Sequence, residues 1–231
     1  MVKAVIFDLF ETLITEWGHE KYTKRMMCED LRVLTADFSE LWESLHEKQY
    51  RGEITFEESI RFVCGKLGVS VTEEQMQYVV ERRKKTKAAC FDFMHPDVLP
   101  MLCELRRRGY KLAILSNCSD EEVWSIHSRT FSSLFDAMIL SYETGFCKPE
   151  PDIYDLASKK LGIKNEECVF IGDGGSRELY GAAEAGMKPY RAMWYIRAMP
   201  SPVREQPEFA MLDTPMDVLR VVESDGQAKG E

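Results

Sequence analysis

Four groups of polar residues along the 231-residue chain carry types and spacings that can do chemistry together. Asp8 and Thr12 follow an apolar run at the N-terminus, and Ser116-Asn117 close a second run. Lys148 lies in Thr144-Gly145-Phe146-Cys147-Lys148-Pro149, and Gly172-Asp173 close a further apolar run with Glu178 shortly beyond. A nucleophilic acid, a hydroxyl donor, a cation and further acids suit phosphoryl chemistry with a hard metal ion. The acids hold Mg²⁺ through oxygen, and Lys148 balances both a phosphoryl group and the negative cluster. Ser116 and nearby backbone N–H groups can hydrogen-bond phosphoryl oxygens. Taken singly, each residue also has a plain structural reading. Thr12 reads as a turn residue, Ser116 and Asn117 as a strand-end cap, and Lys148 as a surface residue before a proline.

Elements that could bring these groups together follow from the hydrophobic pattern. Residues 2–10 are almost unbroken apolar sequence, which predicts a fully buried parallel strand. From about 15 to 90 the pattern predicts about four helices and no strand. Asp37 with Glu40, Thr55 with Glu58, and Thr72 with Gln75 match the capping-box spacing. Tyr22, Trp42 and Trp17 read as core of this helical unit. From about 95 onward strands and helices alternate. Strands are expected at Lys111–Ser116, Ala137–Ser141, Cys168–Asp173 and Pro189–Trp194. Helices are expected from His95 to before Gly109, from Ser119, from Pro151 to Leu161, from Ser176 to Ala185, and from Pro215 to Val222 with a frayed tail. The alternation predicts an α/β fold, a doubly wound parallel, Rossmann-like sheet with an inserted helical-bundle cap domain. The expected limits are 1–14 and 95–231 for the α/β core and 15–94 for the cap. In such a sheet ligands bind beyond the carboxyl ends of the strands, where all four polar groups fall.

Composition narrows the function classes. With 30 Lys+Arg against 39 Asp+Glu the net charge is −9, which argues against nucleic acid as the main partner. A small anionic, phosphorylated substrate needs only a few local positive groups and remains open. No apolar run reaches the ~18 residues of a membrane span. Seven cysteines, odd in number and without a Cys-x-x-Cys pair, make a poor disulfide or zinc framework, so a reduced, cytoplasmic protein is expected. Cys118, beside Asn117, reads as a small buried hydrophobe rather than a nucleophile. The run Arg82-Arg83-Lys84-Lys85-Thr86-Lys87 reads as a solvated helix face, and the four histidines show no metal-ligand spacing.

The order Asp8…Thr12, Ser116, Lys148-Pro149, Gly172-Asp173…Glu178 resembles the four motifs of the haloacid dehalogenase-like hydrolase superfamily. Gly181-Ala182-Ala183-Glu184-Ala185-Gly186-Met187 resembles the same family, and the resemblance spans nearly the whole chain. It implies a hydrolase in which Asp8 is the covalent nucleophile, forming an aspartyl-phosphate that water hydrolyses. It also implies Mg²⁺ on the carboxylates of Asp8 and Asp173 and the backbone carbonyl of Phe10. Glu178 would be a direct or more remote ligand. Thr12, Ser116, Asn117 through its backbone, and Lys148 would hold the transferring group. The first motif departs from the family's phosphatases, which read Asp-x-Asp-x-Thr and use the second acid to move protons. Here it reads Asp8-Leu9-Phe10-Glu11-Thr12, and Phe10 cannot move a proton. Glu11 reads as a solvated turn acid. An aromatic at this position is similar to the 2-haloacid dehalogenases, whose halide leaves without a proton. Those enzymes use a cap arginine, for which Arg25, Arg32 and Arg51 are candidates, and they lack the metal-type fourth motif. A catalytically weak binding member is the further alternative. A leaving group that needs no acid, such as an acyl phosphate or an imine-activated phosphonate, also fits. The imine would require a cap lysine, with Lys21, Lys24 and Lys48 as candidates.

Overall fold

The structure is a computed structural model, and it describes residues 1–199 and 206–227. Six strands form one parallel sheet: β1 Ala4–Phe7, β2 Lys111–Ser116, β3 Ala137–Leu140, β4 Cys168–Gly172, β5 Lys188–Ala192 and β6 Met211–Leu212. Their spatial order is β3-β2-β1-β4-β5-β6, so the winding reverses between β1 and β4. That reversal opens a crevice at the carboxyl edge, where an open α/β sheet takes its ligand. Side chains alternate across the sheet. Val5, Phe7, Ile114 and Ile171 enter one buried core, while Ala4, Ile6, Leu115 and Phe170 enter the other. Both faces are covered by helices, as a near-continuous apolar strand requires.

Between β1 and β2 the chain makes five helices: α1 Lys24–Leu31, α2 Thr35–Glu43, α3 His46–Tyr50, α4 Phe56–Lys66 and α5 Glu73–Ala89. They enclose a third core built from Phe38, Trp42, Phe56, Ile60, Val63, Met76 and Val79, with Tyr22 at its margin. Then follow α6 Val98–Arg107, α7 Asp120–His127, α8 Ser141–Thr144, α9 Pro151–Leu161, α10 Glu178–Glu184 and α11 Asp217–Gln227. The fold is thus a doubly wound parallel sheet with an inserted helical bundle.

Several expectations shift for identifiable reasons. β1 stops at Phe7, because Leu9 takes the backbone bonds of a turn instead: the N–H groups of Thr12, Leu13 and Ile14 all donate to its carbonyl. Five helices replace four, the extra one being five-residue α3. Thr55 and Thr72 make both bonds of their capping boxes, but Asp37 caps nothing. α2 starts at Thr35, which puts Asp37 in the first turn, where it opposes the positive helix end. α10 begins at Glu178, two residues late, because Ser176 and Arg177 have φ values of 49° and 55°. β6 is only two residues long and carries no sequence pattern. α11 continues to Gln227 instead of fraying at Glu223, and the rest of the expected tail lies outside the described residues. Trp17 stays half-buried outside the bundle core, with Lys21 Nζ 3.4 Å from its ring centroid.

The largest correction concerns the basic run. Met76, Val79, Arg83 and Lys87 follow at spacings of three, four and four, which places them on one stripe of α5. The stripe is apolar where it meets its own bundle and cationic where it meets α7. Lys87 is 4% exposed and pairs with Glu16 and Glu122. Arg83 Nε lies 3.1 Å from Glu121 Oε1. These two residues are interface, not a solvated face. No helix among the described residues is long and apolar enough to cross a membrane.

Candidate active site

β1 ends one residue before Asp8, whose N–H donates to Ile171 O on β4 at 2.8 Å. This bond continues the β1–β4 ladder and fixes the carboxylate at the crevice. Lys148 reaches the same point from the loop between α8 and α9. Its Nζ lies 2.5 Å from Asp8 Oδ1 and 2.5 Å from Glu178 Oε2, and all three side chains are buried. Thr12 Oγ1 donates to Asp8 Oδ2 at 3.3 Å. Asp173 sits just past β4, with Oδ1 accepting from Gly175 N at 2.9 Å and its carbonyl accepting from Arg191 Nε at 3.0 Å. One carboxylate oxygen each from Asp8, Asp173 and Glu178 fall within 4.8 Å of one another.

The surroundings explain why small residues stand where they do. A Cβ on Gly172 would come 2.1 Å from Glu178 Oε1. A Cβ on Gly181 would meet Pro149 O at 2.5 Å, so the glycine lets α10 close on the lysine loop. Tyr154 OH donates to Glu178 O at 2.8 Å, and Gly174 N donates to Glu178 Oε1 at 3.0 Å. Asn117 holds the lysine loop with both ends of its amide. Lys148 N donates to its Oδ1 at 2.8 Å, and its Nδ2 donates to Lys148 O at 3.1 Å. The Asn117 side chain is therefore committed to the loop, which leaves its backbone for any ligand. Ser116 is buried at the end of β2, with its hydroxyl 3.5 Å from Asn117 O.

Burial dominates the electrostatics. It raises the Asp8 carboxyl above its ordinary range despite the opposing pull of Lys148. It raises Glu178 further, with the Asp8 charge adding to the effect. Burial alone would lower Lys148, but the charges of Asp8 and Glu178 outweigh it and hold the ammonium protonated. Asp8 and Glu178 thus flank the Lys148 ammonium, with the Asp173 carboxylate beside them and buried Arg191 on its carbonyl. The set offers hard oxygen donors converging on one point, which fits a divalent cation such as Mg²⁺.

The first-motif turn differs from its sequence reading. Glu11 is half-buried at φ 58° and not solvated. Thr15 Oγ1 donates to its Oε2 at 2.6 Å and Glu16 N donates to its Oε1 at 2.8 Å, so both oxygens are engaged within the turn. Burial pushes this carboxyl up. Phe10 is half-buried, and Lys87 Nζ stands 4.7 Å from its ring centroid. Sequence reasoning placed Lys87 in a solvated basic run and missed its pairing with Glu16 and Glu122. The available signal was the stripe spacing on α5, together with the acid pair Glu121-Glu122. Of the candidate cap cations, Arg51 is spent on Glu47, Gly145 O and Glu150, Arg25 lies by Glu29, and Lys24 pairs with Glu43. Cys118 is fully buried, and burial pushes its thiol far up, which removes it as a nucleophile. Trp194 and Tyr195 were also missed. Trp194 Nε1 donates to Thr12 O at 2.8 Å. The Tyr195 hydroxyl donates to Leu13 O at 3.3 Å and accepts from His95 N at 2.6 Å.

Comparison with known proteins agrees with this architecture. The chain is 28% identical over 230 residues to the glyceraldehyde 3-phosphate phosphatase of Methanopyrus kandleri, an alignment covering 96% of this chain and 97% of that one. It is 25% identical over 210 residues to the (S)-2-haloacid dehalogenase of Pseudomonas putida, covering 85% of each. The crystal structure of a haloacid dehalogenase family enzyme from Bacteroides thetaiotaomicron, in complex with magnesium and inorganic phosphate, superposes with a TM-score of 0.60. The match has 22% identity over 90% of this chain and 98% of that one. The family model for haloacid dehalogenase-like hydrolases matches residues 2–186, which takes in β1, the whole helical insertion, the strand ends that carry Asp8 and Asp173, and the loop that carries Lys148. The chain belongs to the haloacid dehalogenase-like hydrolase family.

Proposed function

We propose that this hydrolase is a Mg²⁺-dependent phosphatase of a small phosphorylated metabolite, acting through an aspartyl-phosphate on Asp8. The observation that carries the reading is the meeting of Asp8, Asp173 and Glu178 within 4.8 Å beside buried Lys148. Asp8, Asp173, Glu178 and the Phe10 carbonyl would hold the cation. When bound, it supplies charge neutralisation for the phosphoryl oxygens. The remaining chemistry belongs to the chain. An Asp8 oxygen attacks phosphorus, the P–O bond to the leaving group breaks, and water then cleaves the acyl phosphate to release phosphate and regenerate the carboxylate. Lys148, Thr12, Ser116 and the Asn117 N–H hold the phosphoryl oxygens. Phe10 offers no proton to the departing oxygen, and Glu11 has both oxygens engaged. Substrates with leaving groups that need little protonation are therefore turned over best. The helical insertion, taken as residues 15–94, acts as the cap that closes over Asp8 and selects the substrate by shape. Glyceraldehyde 3-phosphate is the first substrate to try, since the Methanopyrus relative is named for it.

A second reading, 2-haloacid dehalogenase, is favoured by one observation: an aromatic ring at Phe10. One experiment separates the two. Turnover of glyceraldehyde 3-phosphate, acetyl phosphate, p-nitrophenyl phosphate and 2-chloropropionate is measured with Mg²⁺ and with excess chelator. Phosphate release that vanishes with chelator, on Asp8→Asn and on Asp173→Ala, is the expected result. Halide release that ignores the chelator overturns it.

A further inference from the structure

The helical insertion touches the loop that carries Lys148, and the side-chain bonds come from Arg51. Arg51, directly after α3, sends Nη1 to Gly145 O at 3.0 Å and to Glu150 Oε2 at 3.3 Å, while Nη2 pairs with Glu150 Oε1. Its Nε is held by Glu47 Oε1 at 3.0 Å, so the guanidinium enters the loop already oriented. Glu150 in turn accepts Cys147 N at Oε2, 3.1 Å away. The path from insertion to lysine is therefore short: Arg51, Glu150, the Cys147 N–H, then Lys148. Planar, two-pronged arginine–carboxylate pairs fix angle as well as distance. Next to Arg51, Gly52 has φ +70° and seats against Tyr142 O, at the start of the same loop region.

On the core side Lys148 is held at its backbone by the two Asn117 amide bonds and at its Nζ by Asp8 and Glu178. Within residues 145–147, Phe146 N donates to Thr144 Oγ1 at 3.4 Å, Cys147 N donates to Glu150 Oε2 at 3.1 Å, and Ser141 on α8 bonds the Cys147 thiol, so these anchors come from the loop's own neighbourhood. When the insertion is seated, Arg51 completes the shell at Gly145 and holds Glu150 on Cys147. When it is not seated, Glu150 loses its charge partner and Gly145 O loses its donor.

We propose that Arg51 is a positioning residue that makes the placement of Lys148 depend on closure of the insertion. It touches no reacting atom and acts through Glu150. Open enzyme would keep the Lys148 ammonium on Asp8 and Glu178 but leave its loop backbone less constrained, and closure over substrate would complete the site in one movement. The kinetic part of this proposal rests on the phosphatase reading, whereas the structural part does not.

The test uses the full chain with Arg51→Met, Arg51→Lys, Glu150→Gln and the double variant Arg51→Met/Glu150→Gln. Amide hydrogen exchange at residues 145–150 is measured first, without substrate. Arg51→Met and Glu150→Gln are expected to speed exchange there about tenfold and to leave β1 and β4 unchanged. With p-nitrophenyl phosphate and Mg²⁺, both single variants are expected to lower kcat about tenfold with KM moved less than twofold. The double variant should fall no further, and Arg51→Lys should not rescue, because an ammonium cannot span both partners. Unchanged exchange at 145–150 in Arg51→Met, beside unchanged exchange in Glu150→Gln, overturns the proposal, and so do additive losses of kcat. If the native protein releases no phosphate from any ester, the phosphatase reading fails, and the exchange result alone decides the role of Arg51.

Discussion

Phe10 shows how far residue type alone can reach. Its failure to move protons is a property of the side chain and is legible in Asp8-Leu9-Phe10-Glu11-Thr12. Its neighbour in space is not, because Lys87 comes from a helix 77 positions away and meets the ring only after the insertion folds back. That neighbour changes the expected result of restoring an acid. Phe10→Asp is expected to raise kcat/KM for an alkyl phosphate ester and to leave an aryl phosphate nearly unchanged. A fully tuned acid/base is worth about 10²–10⁴-fold. The gain here should lie at or below the low end, since the new carboxylate would sit beside the Lys87 ammonium and be held as the anion. Steady-state rates for both esters on both proteins check it, and equal gains for the two esters would refute a proton-transfer role. The Asp8–Lys148–Glu178 contact was legible only as a convergence of strand ends. The same holds for Glu11, whose type reads as a solvated acid until the turn brings Thr15 and Glu16 N onto it.

At the scale of elements, what is local in sequence was legible and what is assembled was not. Thr55 with Glu58 and Thr72 with Gln75 bond residues three apart, so the pattern and the bonds coincide. α9 runs from Pro151 to Leu161 as its N-terminal proline and following Gly162 demand. By contrast α3 and β6 are too short to carry a period, and the positions of half-buried Arg83 and buried Lys87 are decided by acids on α7 and by Glu16. The seat of the insertion on the core depends on Gly52 in the same way. Its φ of +70° disfavours a side chain, and an added Cβ would stand 2.2 Å from the Tyr142 backbone carbonyl, which cannot step aside. Gly52→Ala is expected to push the α3–α4 turn off the core while leaving the bundle's own packing intact. Limited proteolysis should then cut near residues 88–94 faster than in the native protein, with unchanged helical circular dichroism. Equal cleavage rates would show that the turn accommodates the methyl group without moving.

Across the whole molecule, the insertion meets the α/β core through Arg83 on Glu121 and Lys87 on Glu122, and the Glu16–Lys87 pair inside the insertion makes this cluster sensitive to pH. Burial alone would raise the Glu16 carboxyl, but the Lys87 ammonium and then Arg83 outweigh it and hold the carboxyl below its ordinary 4.5. Lys87 is displaced the opposite way. Burial and Arg83 would lower it, and Glu122 with Glu16 hold it above its ordinary 10.5. A depressed acid adds stability above its unfolded value and loses it as pH falls through the folded one. A raised base adds stability below its unfolded value and loses it as pH rises through the folded one. The pair therefore stabilises fully between about pH 4.5 and 10.5 and weakens outside both limits. Glu16→Gln is expected to lower Tm at neutral pH and to flatten its decline below pH 4.5. Thermal melts across pH on both proteins test this, and parallel acid limbs would refute it. The Tyr195 hydroxyl bears on the same union differently. It bonds Leu13 O on the chain entering the insertion and His95 N on the chain leaving it, so both strands of the connection are pinned at one oxygen. Entry and exit are thereby held side by side, so the insertion is tied to the core at its root by one side chain. Under the proposed closure, that shared root would return Arg51 to the same carbonyl of Gly145 and the same carboxylate of Glu150.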